Sequence, residues 1–314
     1  MKNFGLIGAA GYVAPKHLQA IKETNNRLIA ALDNSDSVGI LDSFFPNASF
    51  FTEYERFDRF IDKLRRSKSL STINYISICS PNYLHDSHIR FALRSEADVI
   101  CEKPLVLNPW NLDGLNSLEK ETGKKVNTIL QLRLHPSIKI LKSKVMKNNK
   151  SKYEIDLTYI TSRGQWYFQS WKGIEKKSGG ISTNIGIHFF DMLNFLFGNL
   201  QECYLHLKTP SKEAGYLEYE NARVRWFLSI DEADLPKRVS IENKKTFRSI
   251  KCNGEEIEFS SGFENLHIES YKNIFDGKGF GIEDSRVAIE TISKIRSAQI
   301  QSLGEKHTLV GSSV

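Results

Sequence analysis

Two short segments, far apart in the chain, carry residues that could do proton and hydride chemistry. The first reads Cys-Glu-Lys-Pro and places Lys103 beside Glu102 at the end of an apolar run. The second reads GGISTNIGIHFFD and places Asn184 one helical turn before His188, on the same helix face. A lysine amine and an imidazole can each exchange a proton with a hydroxyl group. The two segments therefore suggest chemistry on a hydroxyl-bearing substrate.

Each segment also has a simpler interpretation. Neighbouring glutamate and lysine residues are usually solvated surface ions. The position of Lys103 after a predicted strand favours the chemical interpretation, because ligands of parallel sheets bind beyond the carboxyl ends of the strands. A histidine beside Phe189 and Phe190 can be a core residue with satisfied hydrogen bonds, and for His188 taken alone this interpretation is the stronger one.

The composition excludes several classes of protein. The chain has 314 residues, 40% of them hydrophobic, which is enough for two domains. Its net charge of +6 suits anionic ligands but does not predict nucleic-acid binding. The 4 cysteines are scattered and no histidine cluster has zinc spacing, so we expect neither a metal site nor a disulfide framework. No apolar run reaches the roughly 20 residues of a membrane span, and no signal sequence is visible, so we expect a cytoplasmic protein without a membrane partner.

Residues 1–130 alternate between short apolar runs and helical segments. This alternation predicts a parallel sheet with crossover helices, the architecture of a dinucleotide-binding domain. The predicted strands cover 4–7, 28–32, 44–49, 75–79, 98–101 and 126–131, and the predicted helices cover 15–25, 57–66, 85–95 and 111–122.

Residues 131–314 have a different pattern, in which polar and apolar residues alternate along several runs. Such alternation is typical of an antiparallel sheet with one solvent-exposed face. We therefore predict a second, α+β domain over 131–314. Its predicted elements are helices at 138–147, 188–197 and 283–302 and strands such as 153–161 and 223–230.

A turn that reads GAAGYVA separates the first predicted strand from the first helix. Glycine permits a tight turn and a close approach of a pyrophosphate, whose charge is met by amides at the helix N-terminus. The spacing is one residue longer than Gly-x-Gly-x-x-Gly, and a plain strand-to-helix turn would also use glycine. The cofactor-binding residues predicted in this turn are Gly8, Ala10, Gly11, Tyr12 and Val13.

Asp33 strengthens the cofactor interpretation, because it ends the second predicted strand 25 residues after Gly8. A ribose-binding carboxylate belongs near this position. It accepts hydrogen bonds from ribose hydroxyls and repels a 2′-phosphate, so NAD is favoured over NADP, with Asp33 and Asn34 as its ligands. The alternative is that Asp33 is an ordinary turn residue before Asn34 and Ser35.

The segment Ser-Pro-Asn-Tyr-Leu-His at 80–85 follows a buried strand, where loops of a doubly wound sheet line the ligand crevice. We assign Ser80, Asn82 and His85 to the cofactor on this basis. Pro-Asn is also ordinary turn chemistry, and His85 could simply begin a helix. The remaining predicted cofactor ligands follow later strands and are Glu102, Lys103 and Gln131, with Arg133 as a candidate for the nicotinamide side.

These motifs together resemble the Gfo/Idh/MocA oxidoreductase family of glucose–fructose oxidoreductase and inositol dehydrogenase, over the whole chain. The resemblance implies an α/β fold, in which an N-terminal Rossmann NAD-binding domain precedes an α+β domain with an open, largely antiparallel sheet, and a sugar or cyclitol binds between them. It also implies that the second domain, 131–314, serves substrate binding and oligomerisation, and that Lys103 and His188 are catalytic. The matching segments are GAAGYVAPKH at 8–17, Ser-Pro-Asn-x-x-His at 80–85, Glu-Lys-Pro at 102–104 and Gly-Gly…Asn-Ile-Gly-Ile-His at 179–188.

A finer resemblance is to the family branch that oxidises UDP-N-acetylglucosaminuronate (UDP-GlcNAcA) at C3, in pathways to surface polysaccharides such as the O-antigen of lipopolysaccharide. It is carried by GAAGYVAPKHLQAI, QLRLHPSI, the RGQWY segment and TNIGIHFFDML. This substrate is anionic, so basic side chains are expected partners. The predicted substrate-binding residues are Lys103, Arg163, Tyr167, Asn184 and His188, with Trp171 and Lys172 as further candidates. Trp166 and Trp171 are explained equally well by packing.

The chain departs from the family at two points. The glycine turn has an extra residue, and Asn184 stands where many relatives carry an aspartate. An amide can orient a hydroxyl but cannot take a proton. We therefore expect Lys103 to be the principal base and His188 to be a helper or an anchor.

Several alternatives stay open. The substrate could be a free sugar or inositol, oxidation could occur at C4, or the protein could be a non-catalytic NAD-binding regulator. Some relatives reoxidise NADH in place, which makes 2-oxoglutarate a candidate second substrate. The family resemblance implies a homo-oligomer, either a dimer or a tetramer. Candidates for its interface, or equally for the core, are Tyr204, Tyr216, Tyr219 and Trp226.

Overall fold

The computed structural model describes residues 1–147, 151–257 and 263–311. Its internal contacts divide the chain into two units. The first unit contains Met1–Gln131 and Asn265–Arg286, and the second contains Leu132–Glu264 and Val287–Val314.

Strands and helices follow one another along the described residues. The strands are β1 (Asn3–Ile7), β2 (Arg27–Leu32), β3 (Ser49–Phe51), β4 (Tyr75–Ile78), β5 (Asp98–Cys101), β6 (Val126–Thr128), β7 (Tyr153–Thr161), β8 (Leu200–Lys208), β9 (Lys212–Tyr219), β10 (Ala222–Ser229), β11 (Thr246–Cys252) and β12 (Glu255–Glu256). The helices are α1 (Ala14–Glu23), α2 (Ile40–Phe44), α3 (Tyr54–Arg66), α4 (His85–Arg94), α5 (Pro109–Thr122), α6 (Pro136–Lys147), α7 (Trp166–Gln169), α8 (Glu175–Ser178), α9 (Ile187–Phe197), α10 (Lys237–Ile241), α11 (Leu266–Phe275) and α12 (Ile282–Ser297).

The first unit is built on a six-stranded sheet of order β3-β2-β1-β4-β5-β6, in which all neighbouring strands are parallel. Strand β1 lies inside the sheet, and all five of its residues are buried. The carboxyl ends of β1 and β4 are adjacent, because Ile7 pairs with Ile78. This confirms the predicted parallel sheet with crossover helices.

Two strands were misplaced by the sequence patterns. The third strand lies at Ser49–Phe51 and not at the predicted 44–49. The predicted stretch contains the end of α2 and then a turn in which Ala48 N–H donates to Phe45 O over 3.1 Å. Pro46 lies in that turn and has no N–H to offer a neighbouring strand. The strand predicted at 126–131 is shorter and ends at Thr128, because Leu130 N–H turns back to Thr128 O over 3.1 Å.

A helix from far along the chain completes the core of the first unit. Helix α11 packs against α1, and Tyr271 and Ile274 join the same apolar cluster as Phe4 and Leu18. Tyr271, Phe4 and Leu18 are fully buried. The carboxyl-terminal half of the sequence therefore supplies part of the dinucleotide-binding unit.

The second unit is built on a six-stranded sheet of order β12-β11-β7-β10-β9-β8. The pair β7–β10 is parallel and the other pairs are antiparallel, which confirms an α+β architecture with a largely antiparallel sheet. Three aromatic residues proposed for either an interface or the core are buried within this chain: Tyr216, Tyr219 and Trp226.

Helix α12 ends at Ser297, five residues before the predicted end. The following residues extend to β8 instead, where Ile300 bridges Leu205 and Gln301 N–H donates to Leu205 O over 2.9 Å. No helix of the described residues is long and apolar enough to cross a membrane.

Candidate functional site

The turn after β1 requires glycine because two backbones approach each other closely. Gly8 has a φ of +97°, in the left-handed region. A Cβ at this position would lie 2.6 Å from backbone atoms of Cys79 and Ser80, in the segment after β4. Gly11 N–H donates to Gly8 O over 3.0 Å, and Ala14 N–H donates to Gly11 O over 3.0 Å at the start of α1. The turn thus brings the first amides of α1 next to the carboxyl end of the sheet.

The Asp33 carboxylate ties this turn to the end of β2. Its Oδ2 accepts a hydrogen bond from Ala10 N–H over 2.9 Å, and its Oδ1 accepts one from Ser35 N–H over 2.9 Å. Each carboxylate oxygen still has a second lone pair, which can accept a hydroxyl hydrogen. Asp33 therefore does hold a turn, as the alternative interpretation stated. Its oxygens can still accept hydrogen bonds from a ribose, as the cofactor interpretation requires. Tyr12 is 93% exposed and Asn34 is exposed as well.

His85 links the loop after β4 to the loop after β5. Its Nδ1 lies 2.7 Å from Pro104 O and its Nε2 lies 2.8 Å from Ser80 O. Burial lowers the pKa of His85, so the neutral ring is favoured. A neutral imidazole has one N–H and can donate to only one of these carbonyls. His85 does begin helix α4, as the simpler interpretation held. Asn82, which is buried, begins a single turn just before it.

Glu102 and Lys103 follow β5 directly, and the peptide bond after Lys103 is cis. The side chain of Lys103 is partly exposed, whereas Glu102 is 6% exposed. Glu102 Oε1 lies 2.8 Å from His267 Nε2 and 3.2 Å from His17 Nε2. Burial opposes ionisation of this carboxyl, but hydrogen bonds from the two histidines outweigh it and hold the pKa of Glu102 well below its usual range.

The two histidines around Glu102 were not among the predicted site residues. His17 lies within the GAAGYVAPKH motif, which offered a signal, but His267 lies in a helix without a recognised motif. The predicted ligand Gln131 ends the first segment of the first unit and begins a single turn that continues to Leu134.

Arg133 pairs with Asp191 of helix α9 inside the second unit. Its Nη2 lies 2.7 Å from Asp191 Oδ1 and its Nε lies 3.1 Å from Asp191 Oδ2, in a two-pronged ion pair. Arg133 is 9% exposed and Asp191 is 1% exposed. The guanidinium thus anchors the helix that carries His188, a role that sequence reasoning had not assigned to it.

Asn184 and Tyr167 are joined in the second unit. The amide nitrogen of Asn184 donates to the Tyr167 hydroxyl over 2.8 Å. Burial raises the pKa of Tyr167, so its hydroxyl stays protonated. Asn184 lies in a π-helical turn, Ser182–Gly186, and such turns are frequent at functional sites. His188 follows on α9 and is partly exposed, whereas its neighbours Phe189 and Phe190 are 3% and 0% exposed.

Gly186 permits a close contact at the end of the π-helical turn. A Cβ there would lie 2.6 Å from Leu228 Cδ1 and 2.8 Å from Phe190 Cε2. Leu228 of β10 therefore packs closely against this glycine.

A cavity of about 360 Å³ lies in the second unit, next to Tyr167. Lys172 lines it and holds its ammonium 5.1 Å from the ring centre of Trp166 and 5.8 Å from that of Trp171. Burial, and secondarily the nearby Arg163, lowers the pKa of Lys172. Arg163 itself is exposed. The two indoles therefore contact a cation instead of only packing in the sheet.

Two family models match the chain. Residues 2–129 match the oxidoreductase family's NAD-binding Rossmann fold, and residues 151–236 match its C-terminal alpha/beta domain. Among curated proteins, glucose-6-phosphate 3-dehydrogenase from Bacillus subtilis is 26% identical over 208 residues, which cover 63% of this chain and 54% of that protein. The chain thus spans about half the length of that curated relative.

Two similar solved structures are of the WlbA (WbpB) dehydrogenase from Thermus thermophilus. The structure in complex with NAD and α-ketoglutarate has 48% identity and a TM-score of 0.94, and covers 98% of this chain and 100% of that one. The structure in complex with NAD and UDP-GlcNAcA has 47% identity and a TM-score of 0.93, with the same coverage. The two family models and this identity over the whole chain confirm the resemblance found in the motifs: the chain belongs to the Gfo/Idh/MocA family of NAD-binding oxidoreductases.

Proposed function

We propose that this protein oxidises the C3 hydroxyl of UDP-GlcNAcA to a 3-keto sugar, with NAD as the cofactor. The observation that carries this proposal is the 47% identity, over nearly the whole chain, to an enzyme crystallised with NAD and UDP-GlcNAcA. The 3-keto product suits a later amination, in a route to a surface polysaccharide such as the O-antigen of lipopolysaccharide.

The residues at the carboxyl ends of β1 and β2 fit a dinucleotide. The glycine turn presents the first amides of α1, which suit a pyrophosphate, and Asp33 keeps acceptor capacity for a ribose. Gly8, Ala10, Gly11, Tyr12 and Val13 would hold the diphosphate side. When bound, NAD supplies the acceptor for the hydrogen that leaves C3 with its electron pair.

Lys103 is the proposed base that takes the proton of the C3 hydroxyl. A lysine amine can exchange a proton with a hydroxyl group, and this side chain is partly exposed. His188 would bind or orient the same hydroxyl. Asn184, held by Tyr167, can orient a hydroxyl but cannot accept its proton.

Basic groups of the second unit suit the negative charge of the sugar nucleotide. Arg163 is exposed and can form two parallel hydrogen bonds to a carboxylate or phosphate. Lys172, over two indole rings, lines a cavity beside Tyr167. We assign these groups to the substrate's anionic parts.

We further propose that 2-oxoglutarate is the second substrate. It would be reduced to 2-hydroxyglutarate while the cofactor returns to its oxidised form, and Lys103 would give back the proton that it took from the sugar. The support is the complex of the 48% identical Thermus thermophilus enzyme with NAD and α-ketoglutarate.

The test is to incubate the purified protein with UDP-GlcNAcA and NAD, with and without 2-oxoglutarate, and to follow NADH absorbance and the sugar by mass spectrometry. We expect the sugar to lose two hydrogen atoms, and 2-hydroxyglutarate to appear in equal amount when the keto acid is present. Myo-inositol and glucose 6-phosphate serve as competing substrates. An unchanged sugar nucleotide under both conditions, with turnover of a competing substrate, would contradict the proposal.

A further inference from the structure

A chain of hydrogen bonds runs through the interior of the first unit. Ser77 Oγ lies 2.7 Å from the hydroxyl of Tyr271, which lies 2.7 Å from His17 Nδ1. His17 Nε2 and His267 Nε2 then share Glu102 Oε1, at 3.2 Å and 2.8 Å. Each of the five residues is at most 6% exposed. We call these five residues the Glu102 network.

One arrangement of protons satisfies every contact in the Glu102 network. The ionised Glu102 carboxylate only accepts, so both histidines must donate from Nε2. His17 then accepts at Nδ1 from the Tyr271 hydroxyl, whose oxygen accepts from Ser77. Burial lowers the pKa of His17, which favours this neutral form. All donors therefore point toward Glu102, whose ionised carboxylate carries a buried negative charge.

The residues on both sides of Lys103 are fixed in place. Glu102 is held by the network through its side chain and donates from its backbone N–H to Ile78 O over 2.9 Å. On the other side, Pro104 O lies 2.7 Å from His85 Nδ1. The backbone position of Lys103 thus depends on side chains from three helices, α1, α4 and α11.

We propose that the Glu102 network positions Lys103 for its reaction, and that the Glu102 carboxylate supplies a negative charge that favours the protonated amine of Lys103. His17, His267 and Tyr271 are then positioning residues, although they need not touch substrate or cofactor. This inference rests on the proposed role of Lys103 as the base.

The groups that face Glu102 come from every element packed around it. Burial raises the pKa values of the Cys79 and Cys101 thiols and of the Tyr271 hydroxyl, so these groups are uncharged near neutral pH. His85 interacts electrostatically with both Glu102 and Lys103. Among the described residues, the groups with an interaction to Glu102 are His17 on α1, His85 on α4, Cys79 after β4, Cys101 on β5, and His267 and Tyr271 on α11.

A metal ion is the competing explanation for the same side chains. One ligand atom from each of His17, Glu102 and His267 lies within 4.8 Å of the others. The two nitrogen–oxygen distances are hydrogen-bond distances to one shared oxygen, and the other nitrogen of His17 has its own donor in Tyr271. The geometry therefore favours hydrogen bonds over a metal site, and metal content becomes an outcome of the test.

The first readout is turnover. His267→Leu removes a donor to Glu102. We expect kcat to fall by about 10- to 100-fold, because a small displacement of a catalytic group has an effect of this size. The NAD dissociation constant should stay within about threefold of the wild-type value. His267→Gln keeps an N–H donor at a similar reach and should recover most of the loss. Tyr271→Phe keeps the ring but removes the donor to His17, and it should also lower kcat.

The second readout does not require turnover. The pH dependence of acetylation of Lys103 by acetic anhydride can be followed by peptide mass spectrometry, with the exposed Lys120 as internal reference. Glu102→Gln removes the buried negative charge, so the midpoint for Lys103 should fall by about 1 pH unit. The midpoint for Lys120 should not move.

The outcomes separate this inference from the proposed function. If the wild type oxidises none of the tested sugars, the proposed function fails, and the acetylation midpoints still decide the role of the network. Unchanged kcat in His267→Leu, or an unchanged Lys103 midpoint in Glu102→Gln, would overturn the inference. So would one equivalent of zinc in the wild type that is lost in His267→Leu.

Discussion

Asn184 donates a hydrogen bond to the hydroxyl oxygen of Tyr167 over 2.8 Å, and this bond fixes the direction in which the Asn184 carbonyl faces. Because Tyr167 is 2% exposed, its hydroxyl is a fixed acceptor. The amide is thereby oriented without being able to exchange a proton, which leaves proton transfer to other groups.

If the pair acts as one unit, its two members should be coupled. We expect Asn184→Ala and Tyr167→Phe each to raise KM for UDP-GlcNAcA, and the double variant to be little worse than either single variant. The coupling energy in a double-mutant cycle should be about 1 kcal/mol, the size of one hydrogen bond. Strictly additive effects on kcat/KM would contradict the coupling.

Lys103→Met should abolish most of the turnover while cofactor binding persists. Loss of a general base typically costs about 10²- to 10⁴-fold in rate. The NAD dissociation constant, measured by fluorescence titration, should stay within about threefold if Lys103 acts mainly on the proton. Lys120→Met on α5 is the matched control, because Lys120 is exposed. A variant that keeps full turnover would remove Lys103 from the mechanism.

Asp33→Ser should reduce the preference for NAD over NADP. The carboxylate is proposed to accept hydrogen bonds from ribose hydroxyls and to repel a 2′-phosphate. Its loss should therefore weaken NAD binding and strengthen NADP binding, so that the ratio of the NADP to the NAD dissociation constant falls by about tenfold. Asp36→Asn removes an exposed charge from the same loop and serves as control. An unchanged ratio in Asp33→Ser would mean that Asp33 acts only through its bonds to Ala10 and Ser35.

The buried ion pair of Arg133 and Asp191 predicts a large loss of stability. Arg133→Met removes the guanidinium from a carboxylate that is 1% exposed, and should lower the free energy of unfolding by about 3–5 kcal/mol. Arg133→Met combined with Asp191→Leu should recover most of that loss, since no buried charge remains. Urea denaturation measures both variants, and a double variant as unstable as the single one would contradict the explanation.

His307 predicts an acid-sensitive stability. Burial lowers its pKa to about 4, while its Nδ1 accepts from Leu309 N–H over 3.2 Å. Above pH 6.5 the imidazole is neutral in both states, so its stabilising contribution is complete. As the pH falls from 6.5 to 4, the unfolded state binds a proton before the folded state does. The free energy of unfolding therefore falls by about 3 kcal/mol over this range. His307→Gln should therefore flatten the pH dependence of the unfolding free energy in this window, and parallel curves would refute the assignment.

The architecture was predictable where the patterns are local. Strand β7 was placed correctly at both ends, because alternating apolar residues mark a strand with a clear period. Strand β5, the first residue of α4 and the end of α9 at Phe197 were also placed correctly. The GAAGYVA turn and the segments at 80–85 and 102–104 each follow a strand, as predicted.

The contacts that join distant residues were not predictable from those patterns. His17 and His267 are 250 positions apart, and nothing in either local sequence specifies that both face Glu102. Arg133 looked like a ligand residue because it follows the last parallel strand, yet its ion pair depends on where α9 packs. The π-helical turn before α9 likewise depends on packing at Gly186, which a period of 3.6 residues does not encode.

The discontinuity of the first unit has a consequence for the order of synthesis. A nascent chain that ends at Gln131 already contains the glycine turn, Asp33 and Lys103, but it lacks α11. Until that helix leaves the ribosome, Phe4 and Leu18 lack part of their apolar cover, and Glu102 lacks the N–H of His267. The unit that holds the dinucleotide therefore finishes folding only after most of the second unit has been translated.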